Sequence, residues 1–158
     1  MKKFFVIAAM AAMTLVACNK NNDDPEPVVK ETIDDITITE GALSFSINGV
    51  EGEYYVGAME KSAFENLAGM NGEGEEGYPM AIVQLCGAGF MQSPDAKTVT
   101  APATANFATS MSYPMFGVSG AAFEAGKSYV LFIVPKATAD DNDKDTFDKI
   151  VWVEYTVK

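Results

Sequence analysis

The chain has 158 residues, 48% of them hydrophobic, with a formal net charge of −11 and no histidine. The apolar content suffices for one core, while the missing histidine excludes Ser-His, Cys-His and His-metal constellations. An acidic chain without a basic patch repels phosphate backbones, so no nucleic-acid partner is expected.

The chain opens MKKFFVIAAMAAMTLVAC. Lys2 and Lys3 precede an apolar run from Phe4 to Val16 that only Thr14 interrupts. As a helix this run rises about 20 Å, less than a bilayer core requires. A charged start, a short apolar stretch and small residues at its end predict a removable export signal over residues 1–17. Leu15-Val16-Ala17-Cys18 resembles the lipobox of bacterial lipoproteins. That resemblance implies that Cys18 is acylated on sulfur, becomes the new N-terminus and attaches the protein to a membrane. Several chains on one cysteine hold firmly, where a single chain is marginal at about 0.8 kcal/mol per buried methylene.

Residues 18–34 read as a flexible acidic tether, polar and charged with two prolines. Asn19 after the cysteine, and the pair Asp23-Asp24, resemble outer-membrane sorting signals of Gram-negative lipoproteins. The expected address is therefore the outer membrane, lipid-anchored and surface-exposed. Loss of Lys2 and Lys3 with the leader takes the formal charge from −11 to −13.

Residues 35–158 read as one domain of short strands. ITITEGALSFSING (36–49) supplies two, with Leu43, Phe45 and Ile47 alternating against Ser44, Ser46 and Asn48. Asn48-Gly49 predicts a turn, and EYYVGAM (53–59) the next strand. Ser62 and Glu65 stand at capping-box spacing, with Gly69 at a helix stop, so a short helix is expected near 62–68. NGEGEEGYP (71–79) reads as a glycine-rich acidic loop. PMAIVQLCGAGF (79–90) reads as a buried strand, with Cys86 as a small core residue. Residues 91–111 read as loops with at most one edge strand, and YPMFGV (113–118) as a strand. Residues 129–137 and 150–158 complete the strands, joined as a hairpin by the acidic loop 138–148. This pattern predicts an all-β sandwich.

Phe123-Glu124-Ala125-Gly126-Lys127-Ser128-Tyr129 resembles the L-x-P-G-T-x-Y stretch of fibronectin type III domains, with Ala125 and Lys127 replacing the proline and threonine. The resemblance implies an immunoglobulin/fibronectin-III-like β-sandwich in which Phe123, Gly126 and Tyr129 form a tyrosine corner. The four strands 42–48, 53–59, 129–137 and 150–157 match the family's B, C, F and G in order. Residues 60–111 depart from it in length and in carrying a helix.

Three features could carry chemistry. Asp141, Asp143 and Asp145 alternate as Ca²⁺ ligands do, but the sixth and twelfth positions are Thr146 and Trp152 where an EF-hand needs Gly and Glu. A solvated hairpin tip is the preferred reading, with Ca²⁺ the possible cofactor. The glutamates of EGEE (73–76) could serve acid–base work, yet a glycine-rich loop holds no fixed separation. Aromatic residues Trp152, Tyr54, Tyr55, Tyr78, Tyr113 and Phe116 could form a platform; on strands they are core. Tyr78 and Tyr113, beside prolines, are the candidate exposed ligand contacts. A non-enzymatic binding or display role toward a glycan or protein is expected. The alternative is an accessory subunit of a surface assembly, with a small carboxylate hydrolase a distant third.

Overall fold

The computed structural model describes residues 32–90 and 92–158. The leader, Cys18 and most of the tether lie outside the described residues. Five strands form one curled antiparallel sheet, and a few short helices lie against it. The β-rich architecture agrees with the pattern of short apolar runs.

Strands β1 (Ile33–Thr39) and β2 (Ala42–Glu60) turn at Glu40-Gly41. β1 takes Ile33 and Asp34 from the end of the expected tether. β2 is one 19-residue strand where two were expected. At Asn48-Gly49 the chain bulges instead of reversing. Against β3 (Lys97–Phe107), Ile47 pairs with Ala103 and Gly52 with Ala101, so five steps along β2 answer two along β3. Gly49 and Gly52 take φ of 74° and 108°, which side-chain-bearing residues rarely adopt. Three extra residues are an odd number, so the bulge exchanges the two faces. Tyr54, Val56 and Ala58 thereby join Leu43, Phe45 and Ile47 in one core. The Asn48 amide donates to the Asp34 carboxylate at 2.9 and 3.1 Å and ties the bulge to β1.

The second half of β2 pairs with β4 (Ser128–Pro135), which pairs with β5 (Val151–Thr156). β4 is buried on both faces. Tyr129, Leu131 and Ile133 enter the core inside the curl, and Val130, Phe132 and Val134 enter a second core under the helices. Gly57, paired across from Phe132, leaves room for that ring, since a β-carbon there would stand 2.3 Å from Met111 Sδ and from Phe132 Cζ.

Helix α1 (Lys61–Ala68) lies where it was expected, but Ser62 does not cap it. The cap is Glu60, and the Ser62 hydroxyl donates to its carboxylate at 2.9 Å. The largest correction is α2 (Tyr78–Cys86), a helix where a strand was expected. Pro79 opens it, and Ala81, Ile82, Val83, Leu85 and Cys86 are buried around most of its circumference. A helix apolar on nearly every side sits inside a core, and its short apolar run has no period that separates it from a buried strand. β4 and β5 do pair as expected, but their connection folds into α3 (Lys136–Asp141) and a 3₁₀ stretch at Lys144–Lys149. YPMFGV is no strand: Pro114–Phe116 is a 3₁₀ turn closed by a lone Tyr113–Val118 bridge. No helix among the described residues is long and apolar enough to cross a bilayer.

Candidate functional site: an apolar groove beside helix α1

Met70 follows α1 in the sequence GMNG, and Met115 and Phe116 stand at the tip of the turn YPMFG. Met70 is 58% exposed, Met115 50% and Phe116 48%, and these are the large apolar residues exposed among those described. They meet at one place. A depression of about 400 Å³ runs between α1 and the 113–118 turn, over Met59, Ala63 and Leu67. A second, of about 360 Å³, lies between Asn71, Gln84, Phe90 and Met115. Met70, Tyr113 and Phe116 line both, so the two depressions adjoin there.

The presenting turn is held at its base. Met111 donates its backbone N–H to the Ala58 carbonyl at 2.7 Å. The Asp95 carboxylate accepts from the Ser112 backbone N–H at 2.8 Å and from its hydroxyl at 2.6 Å. The Ser93 hydroxyl donates to the Ser112 carbonyl at 2.7 Å. Phe116 stacks on Tyr113 with centroids 5.1 Å apart. In the second depression the amides of Asn71 and Gln84 satisfy each other at 3.0 and 3.2 Å, so a ligand there displaces no polar bond. A larger hollow of about 520 Å³ near Leu43 and Phe107 has no exposed apolar ridge, and Lys97 covers the Phe107 ring at 4.9 Å.

Tyr78 and Tyr113 are not the exposed contacts expected of them. They are 3% and 5% exposed. Tyr78 lies edge-on to Phe64 at 4.8 Å inside the helix-side core, and burial followed by the nearby Glu154 charge raises its phenol. Tyr113 backs Phe116 from beneath. Phe116 was read as one of several aromatics, and Met70 and Met115 were missed. The signal for all three was large apolar residues inside glycine- and proline-flanked turns.

Asp141 ends α3, and Asp143 and Asp145 stand at the start of the 3₁₀ stretch. Asp143 accepts from the Asp145 backbone N–H at 3.1 Å and starts the 3₁₀ stretch. Among the described residues, no three His, Cys, Asp or Glu side chains are grouped to hold a metal. Their neighbour Asp140 turns inward. It accepts from the Tyr55 hydroxyl at 3.0 Å and the Ala88 backbone N–H at 3.1 Å, and pairs with Lys136. Burial works to raise the Asp140 carboxyl, but the bonds from Lys136, Ala88 and Tyr55 outweigh it and hold it below the ordinary range. The EGEE glutamates are exposed on a 3₁₀ turn at Gly74–Gly77. Cys86 is buried, and burial, then the Asp140 charge, pushes its thiol far up, so it stays protonated.

The Tyr129 hydroxyl accepts from the Glu124 backbone N–H at 3.1 Å. Its ring packs on Phe123 with centroids 4.8 Å apart, and Gly126 between them has φ of 83°. Comparison of the chain with protein-family models, curated proteins and solved structures returns no match.

Proposed function

We propose that this protein is a lipid-anchored, non-catalytic binding module of the bacterial envelope, held at the outer membrane through acylated Cys18. Its docking face is the groove bounded by Met70, Met115 and Phe116. The observation that carries the reading is that these exposed side chains border adjoining depressions, Met70 and Phe116 lining both and Met115 the second. Scattered apolar residues are ordinary on a surface; a rimmed cluster marks an interaction site.

The lining favours a protein partner over a glycan. Methionine thioethers adapt to apolar shapes, whereas sugars need convergent hydrogen-bonding groups, and the amides of Asn71 and Gln84 are already committed to one another. The alternative of an accessory subunit that docks by strand addition is disfavoured. Of the strands with a single neighbour, β1, β3 and β5, the longest is β3, and its Pro102 and Lys97 are features that blunt an edge.

We further propose that the curled sheet is a divergent fibronectin-III-like sandwich. The support is the Tyr129–Glu124 bond, together with one core that joins residues of β1, β3 and the first half of β2 to β4.

Binding of an uncharged apolar dye such as Nile red tests the groove. Wild-type protein should raise the dye's emission. Met70→Ser and Phe116→Ser should reduce it with melting temperature unchanged, since both side chains are exposed. Emission equal in wild type and variants would contradict the docking face.

A further inference from the structure

Resting on the docking face just proposed, we infer that its occupant is a cationic amphipathic peptide segment of a partner protein, with apolar anchors flanked by Lys or Arg. The shape asks for two anchors, since two mainly apolar depressions adjoin at Met70, Tyr113 and Phe116. The surrounding charge selects the flanks. Residues 59–90 and 111–118, the segments that supply the groove's lining, carry Glu60, Glu65, Glu73, Glu75 and Glu76 outside that lining against a single cation, Lys61.

That cation is already engaged, 2.6 Å from Glu154 and 3.6 Å from Glu65. Glu60 has Lys127 at 3.5 Å. Glu73, Glu75 and Glu76 are different. They are exposed, they follow the lining residues Met70 and Asn71 within six positions in sequence, and among the described residues none is in an ion pair. Their field attracts a cation at the rim while the groove takes the apolar side chains.

The same charge argues against the other occupants of an apolar face. A second copy of the chain without its leader brings a formal −13 against −13, the −11 of the full sequence less Lys2 and Lys3, and an anionic lipid surface or a nucleic acid meets the same repulsion.

The test uses three synthetic amphipathic peptides with identical leucine anchors and flanks of lysine, serine or glutamate. Methyl NMR of ¹³C-methionine protein reads Met70 and Met115 directly. The lysine-flanked peptide should shift both methyls and bind about tenfold or more tighter than the glutamate-flanked one. Added salt should shrink that preference. The triple variant Glu73→Gln, Glu75→Gln, Glu76→Gln, confined to exposed side chains, should remove most of it.

Equal binding by the three peptides would overturn the cationic partner and leave the groove standing. No methyl shift with any peptide would also overturn it, and the dye measurement then decides whether the groove reading falls too. Shifts of the same methyls with protein concentration, or with anionic vesicles, would assign the face to self-association or to lipid and overturn the inference.

Discussion

Single side chains carry three predictions. Tyr129→Phe removes the acceptor of the Glu124 N–H and keeps the ring, so unfolding by denaturant should show a loss of about 1–3 kcal/mol. An unchanged midpoint would mean that this hydroxyl contributes nothing to the 123–129 turn. Gly57→Ala places a methyl 2.3 Å from Met111 Sδ and from Phe132 Cζ, where overpacking should cost about 1–3 kcal/mol in the same measurement. Asp140 makes stability depend on pH. Its carboxyl sits below its ordinary value when folded, so its contribution is complete above the unfolded value of about 3.9 and fades as pH falls through that value toward the folded one. The stability gap between wild type and Asp140→Asn should therefore be flat above about pH 5 and narrow below about pH 4. A gap that stays constant into acid would show that Asp140 is no ionised hub. Tyr129 stood out in the sequence because residues 123–129 resemble the L-x-P-G-T-x-Y stretch of fibronectin type III domains. Asp140 was hidden in a run of aspartates whose members looked alike, and only packing separates the inward one from Asp141, Asp143 and Asp145.

Elements were legible where their period was unambiguous. The alternations at 43–47 and 129–134 marked β2 and β4, and helix α1 was visible near 62–68. The misread elements share a physical cause. Residues 79–86 are apolar nearly throughout, so neither a period of two nor of 3.6 emerges, and only the α1 and α3 neighbours decide for a helix. Asn48-Gly49 favours positive φ, and a bulge uses that as readily as a hairpin does. Pairing with β3 across 50 residues decided the outcome. The 113–118 turn depends on such distant ties as well. Asp95→Ala removes the acceptor of both Ser112 bonds, and should cost about 1–3 kcal/mol and weaken the binding of Nile red. Dye binding unaffected by that change would mean that the turn holds Phe116 in place without the strap.

At the scale of the molecule, two properties combine: an N-terminal segment that resembles a lipoprotein leader, and a folded body whose exposed large apolar side chains lie together. The first was legible as a contiguous motif. The second was not, because Met70 and Phe116 are 46 positions apart in sequence and share a site only after the helix layer packs on the sheet. On the proposed reading, the charge around the groove chooses among partners by their sign. The most direct test is mass spectrometry of the protein extracted from native membranes after photo-crosslinking from position 116, with position 98 on β3 as the control. The account predicts an N-terminal peptide that begins at acylated Cys18, together with adducts to a protein partner from position 116 and none from 98. An unmodified thiol at Cys18, or equal adducts from the two positions, would contradict it.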